Sequence, residues 1–110
     1  MYRFEGLDIE ATGGDSLVFT VRFRGRALAA GSVAVFTVKK RARMKEAVIE
    51  KRYAVADNRV VVALEPADTA LAPGTYWWDI RVLTPVGNGM EVRTPMAYAA
   101  FEILEAVGDG

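Results

Sequence analysis

A period-two alternation of apolar and polar residues is the feature of this sequence that most constrains its fold. The alternation is clearest just after Pro73-Gly74, where six of the residues 75–82 are β-branched or aromatic. Proline presets φ for the second position of a turn, and glycine tolerates the positive φ that can follow. β-branched and aromatic side chains suit a pleated, half-buried surface. Residues 75–83 are therefore predicted to form a β-strand that begins at a tight turn.

The two faces of this strand differ in polarity, because successive side chains of a strand point to opposite sides. One face is apolar and is expected in the core: Tyr76, Trp78, Ile80 and Val82. The other face is mixed and is expected to be partly solvated: Trp77, Asp79, Arg81 and Leu83. Tyr76 stands where a tyrosine corner bonds its hydroxyl to backbone a few residues upstream. The alternative is that Tyr76 is a core aromatic residue without that bond. Tyr76 and Trp78 are the residues predicted to have a structural role.

The rest of the chain repeats the pattern in short segments separated by turn signals. A turn is predicted at Asp57-Asn58, a single helical turn at residues 65–70, and a hairpin connection at residues 84–89, while Pro95 interrupts the final ladder. The strands are predicted at 7–11, 16–24, 32–40, 47–55, 59–64, 75–83, 90–94 and 96–106. Seven or eight short strands without a long helix predict an all-β fold, an antiparallel β-sandwich.

Length and composition bound the class of protein. The 110 residues have room for one core, so residues 1–110 are predicted to be a single domain with frayed ends at 1–6 and 108–110. The 14 cations balance the 14 anions, and 52% of residues are hydrophobic, which is typical of a soluble globular chain. No apolar run approaches the roughly 20 residues that cross a bilayer, and the start lacks a signal-peptide pattern. We expect synthesis in the cytoplasm and no membrane partner.

Cysteine and histidine are both absent from the chain. Disulfides, thiolate chemistry and the usual zinc ligands are therefore excluded, and Ser16 and Ser32 have no imidazole base. Asp79 is the one carboxylate within a strongly apolar strand. Its position favours a cross-strand pair with a lysine or arginine over a general acid. We expect a protein that is not an enzyme and that has no cofactor or metal site.

Several segments, taken in order, resemble a phage family. The most specific is Pro-Gly-x-Tyr-x-x-Asp-Ile at residues 73–80, and the others are residues 14–16, 34–40, 65–69, 89–94 and 101–103. Together they resemble the immunoglobulin-like N-terminal domain of phage baseplate upper proteins and similar small tail proteins of phages and prophages, over roughly residues 7–107. The resemblance implies an immunoglobulin-like sandwich and a structural role in a tail or baseplate.

A dense group of cations follows the strand predicted at residues 32–40. We call residues 39–45 the basic loop; its five cations are Lys39, Lys40, Arg41, Arg43 and Lys45. Such a loop suits an acidic patch on another protein, or nucleic acid. It also suits a solvated hairpin end that guards an edge strand. Neutral net charge and a pI of about 6.3 make nucleic acid an unlikely partner.

Trp77 points away from Trp78, so one of the two tryptophans is expected off the main core. Trp77 is a candidate interface anchor together with Arg81. The alternatives are that Trp77 is a sugar-stacking platform or that its ring is covered by neighbouring side chains. The function predicted is a non-enzymatic structural module of a phage or prophage tail or baseplate, found in the virion once assembled. Its partners are then other tail or baseplate proteins, or further copies of the chain. The alternative is a carbohydrate- or surface-binding immunoglobulin-like module.

Overall fold

A computed structural model of the chain describes residues 2–5, 7–25, 27–93 and 98–105. This part contains nine strands and one helical turn. They are β1 (Tyr2–Glu5), β2 (Asp8–Thr12), β3 (Leu17–Arg22), β4 (Val33–Lys39), β5 (Ile49–Ala54), β6 (Arg59–Leu64), α1 (Pro66–Thr69), β7 (Gly74–Val86), β8 (Gly89–Arg93) and β9 (Ala99–Leu104).

The described strands form two sheets that pack as a sandwich-like fold, which confirms the all-β prediction. The large sheet has the order β1-β2-β9-β7-β4-β5, and β8 pairs with β7 beside β9; the small sheet contains β3 and β6. Each strand pair is antiparallel except β2 with β9, which is parallel. The large sheet therefore supplies most of the structure, and the small sheet covers one of its faces.

The strand prediction was wrong in three details. Nine strands are present rather than seven or eight, because residues 2–5, expected to be frayed, pair with β2. Tyr2-Arg3-Phe4-Glu5 does alternate aromatic and charged residues, a strand pattern that the prediction of a frayed end overlooked. The β2–β9 pair is parallel, and burial periodicity does not specify direction. β7 also continues to Val86, through residues predicted to be a loop. Pro95 and residues 108–110 lie outside the described residues.

Two tight turns fix the register of their hairpins. Asp57 and Asn58 both have positive φ, 53° and 56°, and Ala56 and Arg59 exchange backbone hydrogen bonds of 3.0 Å across them. This is the geometry of a two-residue type I′ turn, at the position predicted. Gly87 has φ 55° and joins β7 to β8. Pro85 is tolerated within β7 because it lies beyond Leu83, the last residue of β7 that pairs with β4.

The core lies between the sheets and is built around Trp78, which is 3% exposed. The ring of Trp78 lies 5.4 Å from that of Phe36 and 6.2 Å from that of Phe19. Its Nε1 donates a 2.9 Å hydrogen bond to the Leu7 carbonyl, so the buried indole leaves no unpaired donor. The predicted core face of β7 is confirmed, since Tyr76, Trp78, Ile80 and Val82 are all buried.

The start of β7 is held by the hydrogen bond that the sequence predicted. The Tyr76 hydroxyl donates to the Ala72 carbonyl, four residues upstream, at 2.7 Å. The preceding helical turn α1 is fixed in place by Thr69, whose hydroxyl donates to the Asp15 carbonyl at 2.6 Å and whose carbonyl accepts from Gly14 at 3.2 Å. The entry to β7 is therefore bonded to the turn between β2 and β3.

Two side chains of β5 connect the large sheet to the small sheet and to α1. The ammonium of Lys51 lies 3.1 Å from the Asp68 carboxylate, and this hydrogen bond and charge raise the pKa of Lys51. The Tyr53 hydroxyl donates to the Ala63 carbonyl of β6 at 2.8 Å. Burial of the phenol raises the pKa of Tyr53, because it disfavours the charged phenolate. The inner face of β5, which carries Lys51 and Tyr53, therefore helps to hold the two sheets and α1 together.

Candidate partner-binding surface

The mixed face of β7 lies on the outside of the large sheet. Trp77, Asp79 and Arg81 are half-buried there, as predicted. β4 lies alongside, with Lys39 opposite Trp77, Thr37 opposite Asp79 and Val35 opposite Arg81. The pairing of β4 with β7 therefore brings together the basic loop and Trp77, which are distant in sequence, because Lys39, the first cation of the loop, is the cross-strand neighbour of Trp77.

The second neighbour of Trp77 is an aromatic residue that the sequence analysis did not identify. The ring centroids of Trp77 and Tyr98 lie 5.7 Å apart with an interplanar angle of 79°, an edge-to-face contact. Tyr98 is 55% exposed. We call Lys39, Trp77 and Tyr98 the Trp77 patch. Tyr98 was missed because its position depends on where the final strand resumes beside β7, and alternation within one strand does not specify this.

The basic loop is the hairpin end that joins β4 to β5. Its base is closed by the Val48 N–H, which donates to the Val38 carbonyl at 2.8 Å, and its tip is bent by a 3.0 Å bond from the Met44 N–H to the Arg41 carbonyl. The predicted cations Lys40, Arg41, Arg43 and Lys45 are exposed, and Lys39 is half-buried. Within the described part of the chain, no carboxylate forms an ion pair with them. Their charge is therefore available to a partner.

Arg81 lies apart from the Trp77 patch. It is four residues from Trp77 along the same face, which corresponds to about 13 Å at the rise of a strand. Its cross-strand neighbour is Val35, which is only 1% exposed although it faces away from the core. The predicted partner-binding residues therefore fall into two places, with the basic loop and Trp77 together and Arg81 further along β7.

The predicted cross-strand partner of Asp79 was wrong. The residue opposite it on β4 is Thr37, not a lysine or arginine. Asp79 Oδ1 and Thr37 Oγ1 are both buried and have no hydrogen-bond partner, and within the described residues no cation forms an ion pair with Asp79. On the outer face of β4, Lys39 lies opposite Trp77 and Val35 lies opposite Arg81. The nearest cation on that strand, Lys39, is therefore opposite Trp77 and not opposite Asp79.

The described residues can also be considered for a metal cluster and for a membrane-spanning helix. No group of three or more acidic, histidine or cysteine side chains is placed to hold a metal ion in that part of the chain. No helix among the described residues has the length and apolar composition needed to span a membrane.

Comparison of the chain with protein-family models, with curated proteins and with solved structures found no match.

Proposed function

We propose that this protein is a non-enzymatic structural module of a phage or prophage tail or baseplate, with an immunoglobulin-like fold. The strand pairing supports the fold assignment. β3 pairs with β6 in one sheet, while β4, β5, β7 and β9 lie together in the other, as strands B and E and strands C, C′, F and G do in immunoglobulin-like sandwiches. The Tyr76 hydroxyl bond at the start of β7 corresponds to the tyrosine corner of those domains.

The observation that carries the proposal is the contact surface formed by the Trp77 patch and the basic loop. Lys39 is both the last residue of β4 and the cross-strand neighbour of Trp77. A half-buried tryptophan held by a strand makes a rigid anchor, and tryptophan and tyrosine are enriched at the energetic centres of interfaces. The neighbouring cations add steering toward an acidic surface. This combination fits docking onto an acidic, partly apolar region of a neighbouring tail protein.

The tail or baseplate proteins encoded beside this chain are the partners to test, by co-expression and co-purification. We expect a complex that weakens with rising salt, because exposed charges are screened. Trp77→Ala should abolish it, and a variant with all five loop cations changed to serine should weaken it strongly. Arg24→Ser, an exposed cation outside the surface, is the matched control. Neighbouring genes that encode metabolic enzymes, or a complex indifferent to Trp77→Ala, would contradict the proposal.

A carbohydrate- or surface-binding module is the second candidate, favoured by the partly exposed Trp77 and Tyr98 rings. The 79° angle between the rings means that they do not form one flat platform. A sugar ring therefore has one of them to stack on, not both. Binding to a glycan array that is lost in Trp77→Ala and kept in the loop-serine variant would select this candidate. An array without binding would exclude the glycans it displays.

A further inference from the structure

We propose that β5 is a homodimerisation edge, at which two copies of this chain join their large sheets in antiparallel register. β5 is the last strand of the large sheet and pairs only with β4. Glu50 and Arg52 are exposed on it, on the outer face of the sheet. The inference concerns a surface other than the Trp77 patch and holds whichever partner that patch binds.

The backbone of β5 is arranged for such pairing. Val55 donates to the Ser32 carbonyl at 3.1 Å, and β5 is antiparallel to β4. In an antiparallel ladder alternate residues bond the same neighbour, so residues 49, 51 and 53 bond β4. The N–H and C=O groups of residues 50, 52 and 54 therefore point away from β4, where a second strand can accept and donate to them.

Among two-fold axes placed at a charged residue of β5, the charges favour one for a symmetric pair of copies. A two-fold axis at Lys51 places Glu50 of each copy opposite Arg52 of the other, which gives two complementary cross-strand pairs. An axis at Glu50 places the two glutamates together, and an axis at Arg52 places the two arginines together; both are unfavourable. An axis between two residues would set outer-face positions against core-face positions, which a continuous sheet does not allow.

The central position of that register brings the two Lys51 residues together, but each carries its own counter-charge. Lys51 is paired with Asp68 of the same copy at 3.1 Å on the inner side of the sheet. The like-charge contact is thereby offset, while Glu50 and Arg52 are in no ion pair within the described residues. Glu50 and Arg52, which form no ion pair within the described residues, are therefore the charges of β5 that can pair between two copies.

In this register residues 49–53 of each copy pair along one edge, and five paired residues bury less surface than a standard interface, so the dimer is expected to be a transient one. Its test is sedimentation equilibrium of the full chain over a concentration series. We expect dimers that form reversibly, and hydrogen exchange of the Glu50 and Arg52 amides that slows as concentration rises. A chain that stays monomeric at all concentrations overturns the proposal.

Charge exchange identifies the edge and register. Glu50→Arg and Arg52→Glu should each weaken the dimer about tenfold or more, because each replaces two attractive pairs with two repulsive ones. The double variant Glu50→Arg/Arg52→Glu should restore it, and the two single variants should form a heterodimer when mixed. Circular dichroism confirms that each variant folds.

Two controls separate β5 from other surfaces. Arg22→Glu, an exposed cation on β3, should leave the dimer unchanged. Met90→Lys places a charge on β8, whose Met90 side chain is 56% exposed, and should also leave it unchanged. If Met90→Lys abolishes association while the β5 variants do not, β8 is the contact and the proposal is wrong. Single variants that fail to form a heterodimer also overturn it.

Discussion

Tyr76 stabilises the entry to β7 through one hydrogen bond from its hydroxyl to the Ala72 carbonyl, 2.7 Å long. Tyr76→Phe removes the donor and keeps the buried ring. We expect the free energy of unfolding to fall by about 0.5–1.5 kcal/mol, or more if the carbonyl is left unpaired. Urea denaturation measures this. Tyr98→Phe, at an exposed ring, is the control and should change little. An unchanged unfolding free energy in Tyr76→Phe would show that the bond contributes nothing.

Trp78 stabilises the molecule mainly by filling the centre of the core. It is 3% exposed and contacts the rings of Phe19 and Phe36. Trp78→Ala should cost about 3–5 kcal/mol, which is a large share of the stability of a small domain. Trp77→Ala, at the next position, should cost clearly less because Trp77 is half-buried. If Trp78→Ala does not fold, Trp78→Phe gives a smaller loss that can be measured. Equal losses at the two positions would contradict the assignment of faces.

Residue by residue, alternation predicted which side chains are buried and missed which ones meet across strands. Tyr76 and Trp78 were assigned correctly because burial along a strand follows position alone. The neighbours of Asp79 and Trp77 were not, because Thr37 and Tyr98 reach them through the register of other strands. The sequence of one strand carries no information on that register, which is set by the turns and by the rest of the core.

The turn between β7 and β8 is specified by a single glycine. Gly87 has φ 55°, a left-handed conformation in which a side chain is strained, and the cost is about 1–2 kcal/mol. Gly87→Ala should therefore lower the free energy of unfolding by about that amount in thermal or urea denaturation. Gly89→Ala is the matched control, because Gly89 does not have positive φ and a Cβ there would make only an ordinary van der Waals contact, 3.9 Å from the Val86 carbonyl oxygen. A Gly87→Ala loss no larger than that of the control would contradict this reading of the turn.

The inner face of β5 makes stability sensitive to alkaline pH. The pKa values of Lys51 and Tyr53 are both raised in the folded state, that of Lys51 by its hydrogen bond and charge contact with Asp68 and that of Tyr53 by burial. The folded state then holds these protons more tightly than the unfolded state. Their contribution is fully present below about pH 10 and is lost as pH rises through the folded-state pKa values.

Urea midpoints followed from about pH 8 upward should therefore fall above about pH 10. Tyr53→Phe removes the phenol that titrates, so its midpoints should fall less steeply there, although its stability at neutral pH is lower without the bond to Ala63. Lys51→Met should likewise flatten the alkaline limb. Parallel curves for wild type and both variants would show that these two residues are not the source of the pH dependence.

At the level of elements, strand positions were predictable and strand ends were less so. β6 has the predicted limits, Arg59–Leu64, because a type I′ turn precedes it and α1 follows it. The end of β7 was misplaced, because Pro85 and the glycines at 87 and 89 are typical of turns and loops. Here Thr84 and Pro85 extend a two-stranded hairpin beyond the edge of β4, where proline interrupts no ladder bond.

At the level of the whole molecule, the sequence indicated a sandwich-like β fold but not its pairing. Period-two burial requires a second layer, so two sheets followed directly from the pattern. β2 pairs in parallel with β9, and β1 pairs with β2. This pairing depends on which strand edges of the large sheet remain unpaired once the core has formed. The Trp77 patch is a product of that pairing, since its three residues come from β4, from β7 and from the approach to β9.

Adjacent positions of β7 separate an inner face that holds the fold, where Trp78 is buried, from an outer face on which Trp77 is half-buried and which we propose as the contact with partners. Acrylamide quenching of tryptophan fluorescence in Trp77→Phe and Trp78→Phe tests this directly, because each variant keeps one of the chain's two tryptophans. The account predicts blue-shifted, weakly quenched emission from Trp78 alone and red-shifted, readily quenched emission from Trp77 alone. Equal quenching of the two, or stronger quenching of Trp78, would contradict it.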